Sequence, residues 1–257
     1  MNIGVDPLSD RPVYRQIADI VRARITAGDL GSGEQLPSER ELMDSFASSR
    51  GTVRQAVAVL KAEGLIQVEH GRGAYVRHRP PVRRLSYDRF ARRHRDAGKA
   101  AYLAEMEAEN RQASVEVIRV ERDQAPTSAA VALGLAVGDP VLVRARRYLA
   151  DGFPMELATS YIPWALAEGT AMTQVNPGPG GIYARLEEGG HLLGSFTEDV
   201  AARMPTPEEA HALRLASGTP VLHLVRTAFD RDGLPLEVCD TVMAADRYVL
   251  SYALPAE

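Results

Sequence analysis

The chain has 257 residues, 45% apolar and 25% charged, which is room for two ordinary domains with real cores. Its single cysteine, Cys239, excludes an internal disulfide framework, and no run of about 18 apolar residues exists to span a membrane. The net charge of −4 conceals an asymmetry: residues 1–99 carry 18 Lys and Arg against 12 Asp and Glu, and residues 100–257 carry 12 against 22. One basic and one acidic half is the pattern of a chain in which only the first half faces nucleic acid.

In chain order, Met1–Asp10 has no basic-then-apolar signal region, which with the lone cysteine points to a cytoplasmic protein. Pro12 opens a helix running to about Ala27, with Ile17, Ile20, Val21 and Ile25 on its apolar face. After a glycine-rich loop, Ser38 and Glu41 have the spacing of a capping box, so a second helix starts there with Leu42, Met43 and Phe46 inward. Ser48-Ser49 offers the next N-cap. Val53, Ala56, Val57 and Leu60 then recur at three- and four-residue spacing, and Gly64 stops that third helix. Ile66–Glu69 and Ala74–Arg77 read as two short strands around the tip His70-Gly71-Arg72-Gly73.

Helix, short turn, helix and two-stranded wing is a DNA-binding arrangement, with Arg50, Thr52, Arg54 and Gln55 polar around the start of a helix that can enter the major groove. At Leu36-Pro37-Ser38-Glu39-Arg40, Ser49-Arg50-Gly51-Thr52-Val53-Arg54 and Gly71-Arg72-Gly73-Ala74-Tyr75-Val76 the sequence resembles the GntR family of bacterial winged-helix transcription regulators. The resemblance implies DNA contacts at Arg40, Ser49, Arg50, Thr52, Arg54 and Gly71, and at His70 and Arg72 of the wing tip. Ser48 departs from the family pattern, which has an apolar residue there, and implies a less buried turn.

Pro80-Pro81 marks the end of the first domain. Residues 77–95 are crowded with arginine, either touching phosphate or forming a solvated hinge, and the hinge is the expectation. The domain reading is therefore 1–78 for the DNA-binding head, 79–99 for a basic linker and 100–257 for a second domain.

That second domain alternates as strands. Val141–Ala150 and Pro154–Ile162 flank Asp151-Gly152, and Val221–Asp230 and Pro235–Met243 flank Asp232-Gly233, each a hairpin signal. The two hairpins are copies. Residues 130–142 laid on 210–222 match at nine of 13 positions, Arg146 falls on Arg226, and after a one-residue shift Glu156 falls on Glu237. Neither copy alone makes a sheet large enough to be stable, so one sheet with approximate two-fold symmetry is expected. A cleft between the copies, lined by their equivalent Arg and Glu residues, is a natural ligand site.

Over roughly Leu85–Leu254 the sequence resembles the UTRA domain, the effector-sensing domain of HutC-type GntR regulators. This implies a chorismate lyase-like fold, an antiparallel sheet with helices on one side, so that the whole chain is α+β. It also implies a small-molecule effector and a homodimer. The family's effector contacts fall on Arg146, Glu198 and Glu237. Arg226 enters as the repeat partner of Arg146. Tyr148 stands where sugar-phosphate-binding members carry a second arginine, which points to a flatter or less charged effector.

No G-x-S-x-G elbow, P-loop or metal spacing is present, and His191, His211 and His223 are lone and read as structural. Asn176-Pro177-Gly178-Pro179-Gly180-Gly181 reads as a flexible lid or connector. Tyr161 and Trp164 read as core. The reading is a cytoplasmic regulator that binds a double-stranded, pseudo-palindromic operator and an unidentified effector, with no cofactor, metal, catalytic residue or membrane. The alternatives are a chorismate lyase-like enzyme domain tethered to DNA, and an effector-independent DNA binder.

Overall fold

A computed structural model of the chain describes residues 4–6, 9–31, 33–69, 72–76, 82–215 and 218–254. The chain divides into two compact units, Met1–Pro80 with Leu215–Thr219, and Pro81–Arg214 with Pro220–Glu257. His70, Gly71 and the Pro80-Pro81 pair lie outside the described residues.

The first unit runs α1 (Val13–Ala27), α2 (Glu39–Phe46), α3 (Arg50–Ala62), β1 (Ile66–Glu69) and β2 (Gly73–Val76). Local chemistry sets each boundary. Pro12 occupies the N-cap of α1, and Gly28 ends it in the left-handed region at φ 83°. At α2 the Ser38 Oγ accepts the Glu41 N–H at 3.2 Å, and the Glu41 carboxylate accepts the Ser38 N–H at 2.7 Å. The Ser38 backbone N–H, and then its hydroxyl, hold the Glu41 carboxyl below the usual carboxylate range. Ser49 caps α3 by accepting the Thr52 N–H at 3.2 Å. Ser48 is half-buried and donates its hydroxyl to the Phe46 carbonyl at 2.9 Å, so the polar residue in the turn is satisfied locally. Ile17, Ala18 and Val21 of α1 pack with Ala56 and Leu60 of α3, Leu36, Ile66 and Val76 in one core.

The second unit runs β3 (Val82–Leu85), α4 (Ser86–Arg89), α5 (Arg92–Asp96), α6 (Ala101–Ala108), β4 (Ala113–Gln124), α7 (Thr127–Leu133), β5 (Pro140–Ala150) and β6 (Phe153–Pro163). It continues through α8 (Trp164–Ala167), α9 (Gly181–Glu188), β7 (Leu193–Arg203), α10 (Pro207–Ala212), β8 (Val221–Asp230), β9 (Pro235–Ala244) and β10 (Tyr248–Ser251). One antiparallel sheet has the order β4-β5-β6-β9-β8-β7, and β3 pairs in parallel with β10.

The sheet order is the repeat made visible. Strand, helix and hairpin (β4, α7, β5, β6) recur as β7, α10, β8, β9, and the halves meet along β6 and β9. In that central pair Thr159 lies opposite Asp240, and these are repeat equivalents, 81 residues apart. The flanking pairs, Ala158 with Thr241 and Ser160 with Cys239, exchange under the same operation. The approximate two-fold axis therefore passes through Thr159 and Asp240.

One expectation is refined and two are corrected. The turn at Asp151-Gly152 is a two-residue turn with both φ positive, at 49° and 78°. Its copy is longer, because β8 ends at Asp230 and β9 begins at Pro235. There the Asp230 carboxylate accepts the N–H groups of Asp232 at 3.0 Å and Leu234 at 2.8 Å, which organises a four-residue connection and absorbs the one-residue shift. Secondly, helices cover both faces of the sheet. Ala130 and Leu133 of α7 pack on Val141, Val143 and Val238, while Tyr102 and Met106 of α6 and Ile182 and Leu186 of α9 cover the opposite face. Each repeat carries its own helix between strand and hairpin, and the period-2 alternation of β5 gives both faces an apolar set to cover.

Thirdly, the described part of the expected linker, residues 82–99, is folded into the second unit. Arg84 is only 2% exposed. It bonds Glu105 at 3.1 Å and also Glu156, while Arg89 bonds Glu105 at 2.7 Å. Arg95 is bonded to Glu187 at 2.9 Å. A run of arginines reads as solvated only while its carboxylate partners, distant in sequence, are unknown.

This buried cluster makes the unit sensitive to acid. Burial alone would raise the Glu105 carboxyl, but Arg84 and Arg89 outweigh it and hold the group below its ordinary 4.5. A depressed folded pKa contributes stability above the unfolded value that disappears as pH falls through the folded value. Glu105→Gln is expected to cost about 3–5 kcal/mol at pH 7, since it leaves the two buried guanidinium groups of Arg84 and Arg89 only the single carboxylate of Glu156 to share. Urea denaturation followed from pH 7 down through 4.5 checks this, with the variant losing less stability on acidification than the parent chain.

Candidate functional site

Two surfaces gather the residues singled out by the sequence. The first is the N-terminal end of α3. Arg50 and Arg54 are 73% and 70% exposed at their side chains, and both face Glu39 of α2, at 2.8 and 3.8 Å. Glu39 thereby holds two mobile cations beside one another on the helix that starts at Ser49. Arg40 is exposed. Ser49 and Thr52 are committed to each other, with their hydroxyls 2.9 Å apart in the cap. At the wing, Arg72 pairs with Glu69 at 2.9 Å, and its carbonyl accepts from Gln35 at 2.8 Å and from the Tyr75 hydroxyl at 3.1 Å. Gln35 and Glu39 were not anticipated from sequence, because each acts through a partner brought close only by the fold. His70 and Gly71 lie outside the described residues.

The second is a cavity of about 380 Å³ within the second unit. Five strands contribute to it: Val115 and Val117 from β4; Arg144, Arg146 and Tyr148 from β5; Glu156 and Ala158 from β6; Glu237, Cys239 and Thr241 from β9; Arg226 from β8. Arg144, Arg146 and Tyr148 share one face of β5 through the two-residue alternation. The cavity is closed by Phe90, by Tyr102 and Leu103 of α6, by Val175–Gly178, and by the start of α9 with Ile182 and Tyr183.

Of the expected effector residues, Arg146, Tyr148, Arg226 and Glu237 come together here, from both repeats. Glu237 and Arg226 are joined through Tyr183, whose hydroxyl donates to the Glu237 carboxylate and accepts from Arg226 Nε at 3.2 Å. Burial, and then the adjacent carboxylate, push the Tyr183 phenol well above its ordinary value, so it stays a donor. The guanidinium of Arg226 also lies 4.4 Å from the centre of the Phe90 ring. Glu198 is not among the lining residues. It sits 3.8 Å from Arg226 and accepts the Tyr252 hydroxyl at 2.9 Å, a supporting position behind the cavity. Glu156, the repeat equivalent of Glu237, is held by Arg84.

Arg144 was not singled out from sequence. It is 1% exposed and donates to the carbonyl groups of Met172, Gln174 (2.6 Å) and Val175 (3.0 Å). Burial, with Arg146 as neighbour, pulls its pKa down to about 10. The Gly/Pro run that follows is fastened rather than free: Arg185 donates to the Pro177 carbonyl at 2.9 Å, and Gly180 N–H to the Gly98 carbonyl at 2.9 Å. Gly180, at φ 75°, has its Cβ position 2.7 Å from Ala184, so no larger residue fits there. Tyr161 packs with Val143 and Val238 on the far face, and Trp164 with Leu142 and Ile182, both as core.

Residues 13–76 match the model of the bacterial regulatory proteins of the gntR family, and residues 108–249 match that of the UTRA domain. The chain is 36% identical to an uncharacterised HTH-type transcriptional regulator of Streptomyces coelicolor, over 94% of this chain and 92% of that protein. It is 27% identical to the HTH-type transcriptional repressor NagR of Bacillus subtilis, over 96% of each. A crystal structure of a GntR-family transcriptional regulator superposes with TM-score 0.59 at 30% identity, covering 96% of this chain and 99% of that one.

Arg50→Ala and Arg54→Ala are each expected to weaken duplex binding by about 1–3 kcal/mol and to relax specificity at one base pair where the side chain reads a base. Where it meets only phosphate, binding falls equally on all sequences and the salt slope drops by about one. Gel-shift titrations at several salt concentrations, on a duplex selected from a random pool and on a scrambled one, separate these outcomes.

Proposed function

The chain belongs to the GntR family of bacterial regulatory proteins, in the HutC-type branch that carries a UTRA domain, and from that premise we propose that it is a repressor released from its operator by a small molecule held in the cavity of the second unit. It is a DNA-binding transcription regulator and not an enzyme. In this proposal Arg40, Ser49, Arg50, Thr52 and Arg54, with His70, Gly71 and Arg72 at the wing, meet the DNA. Arg146, Tyr148, Arg226 and Glu237 meet the effector, and Glu198 orients Arg226. Residues 1–78 form the head, and the second unit, with residues 82–99 folded into it, forms the effector domain.

The observation that carries the proposal is the cavity's position. It takes Arg146 from one repeat and Arg226 with Glu237 from the other, across the β6–β9 seam. A ligand seated there binds best to one relative setting of the two hairpins, and differential affinity is what shifts a population. Release then means that the two heads of a homodimer no longer match their half-sites together. Dimerisation is proposed because one head makes few contacts. It is supported by the edge strands β4 and β7, which expose Ile118 at 62% and Val200 at 44%. Among the described residues no helix is long and apolar enough to cross a membrane, which supports a place in the cytoplasm.

Arg146→Met and Glu237→Gln should bind a selected operator like the parent chain, yet need about 10- to 150-fold more effector for release, since each loses a charged hydrogen bond. The check is fluorescence anisotropy of the operator complex titrated with small-molecule extracts of the source cells. Release of both variants at the parent concentration refutes the assignment. Light scattering of the full chain at micromolar concentration should give a dimer.

A further inference from the structure

Four residues that line the cavity each bury a donor that finds no acceptor among the described residues: Arg89 its Nε, Tyr102 its hydroxyl, Arg144 its Nε and Arg146 its Nε. All four donors are N–H or O–H groups, so what the cavity lacks is acceptors. The charges lean the same way. The cavity's two carboxylates are engaged, Glu156 by Arg84 and Glu237 by Tyr183. Arg144 and Arg146 stand two residues apart on the same face of β5, and no described carboxylate lies within 4.0 Å of either. Arg144 bonds only backbone carbonyls, and Arg146 bonds the Ser160 hydroxyl. Arg144 is 1% exposed and Arg146 half-buried, and two neighbouring guanidinium groups with no described carboxylate in salt-bridge reach favour an anion. Around them the wall is apolar, formed by Val115, Val117, Leu103, Ala158 and Ile182.

Resting on the reading of this cavity as the effector site, we infer that its ligand is an acid with an apolar body. The acid head is seated on Arg144 and Arg146 with the Tyr102 hydroxyl donating to it, and the body lies against Val115, Val117 and Leu103. Arg144 is then a binding residue as well as the fastening of Met172–Val175. Burial, with Arg146 beside it, lowers the pKa of Arg144, whereas Tyr148, Cys239 and Glu237 outweigh burial and raise that of Arg146, so the charge that gains most from an added anion is Arg144.

The test uses the full chain and defined probes: 3-phenylpropionate and phenyl phosphate as acids, 3-phenylpropionamide as the neutral isostere, and glucose 6-phosphate as the polyol acid. Calorimetric titration is expected to show at least one aryl acid binding below about 1 mM and the amide at least about 10-fold weaker. The tighter of the two aryl acids identifies the head as carboxylate or phosphate. Arg146→Met and Tyr102→Phe should each weaken that acid by about 10- to 150-fold. Arg144→Met should do the same. Tyr102→Phe keeps the ring, 4.7 Å from that of Tyr148, and removes a hydroxyl without a protein partner, so its melting temperature should equal that of the parent chain. Equal binding of amide and acid, unchanged affinity in Tyr102→Phe and Arg146→Met, or no aryl-acid binding at about 10 mM overturns the inference. Tighter binding of glucose 6-phosphate through the same arginines overturns the ligand class while leaving the effector cavity in place.

Discussion

The backbone pairing of β6 with β9 is the interaction on which the second unit depends. Each repeat supplies three strands, and three strands closed by nothing leave a row of unpaired N–H and C=O groups along one edge. Joining the two edges at Thr159 and Asp240 satisfies both rows at once and makes six strands from two halves. The register of that seam also decides the site. Because side chains alternate with period two, a one-residue slip would turn Cys239, Thr241 and their neighbours to the opposite face and dismantle the cavity floor.

Burial of charge is the second constraint, and the repeats have met it differently. Glu156 and Glu237 are equivalent, and each is 1% exposed, a position a carboxylate holds only with partners. Glu237 is answered from within the cavity, by Tyr183 and Arg226. Glu156 is answered from outside the repeats, by Arg84 of β3 and, with Glu105, by Arg89 of α4. This is why the arginine-rich segment after the first unit is structural. It also explains why the two ends of the cavity differ. The end near Arg226 is neutralised, and the end near Arg144 and Arg146 is left positive.

The first unit is built on smaller terms. The starts of α2 and α3 are specified by side chains that satisfy the orphan N–H groups of the first turn, as Ser38 with Glu41 and Ser49 with Thr52 do. Each such cap contributes about 1 kcal/mol, modest beside the core but enough to set where a helix begins. That placement matters here, because the same turn that ends at Ser49 delivers Arg50 and Arg54 to the surface beside Glu39.

Much of this was legible in the sequence, and for a common reason. Caps, turn residues and apolar spacing act over a few residues, so the three helices of the first unit, both hairpins and the duplication could be read directly. Arg146, Arg226 and Glu237 were legible because the duplication put equivalent residues on equivalent strands. What only the tertiary structure decided were the partnerships between distant charges. Arg84 and Arg89 looked like a solvated hinge until Glu105 and Glu156 were placed against them. Arg144 looked like one more strand residue until the carbonyl groups of Met172, Gln174 and Val175 were folded onto it, some 30 residues later in the chain. Glu198 ranked as a ligand contact until its carboxylate was seen turned to Arg226 and Tyr252. Local sequence determines where backbone hydrogen bonds begin and end. Whether a buried charge is answered by the protein or left for a ligand depends on which remote groups the fold brings within a few ångströms, and no spacing along the chain encodes that distance.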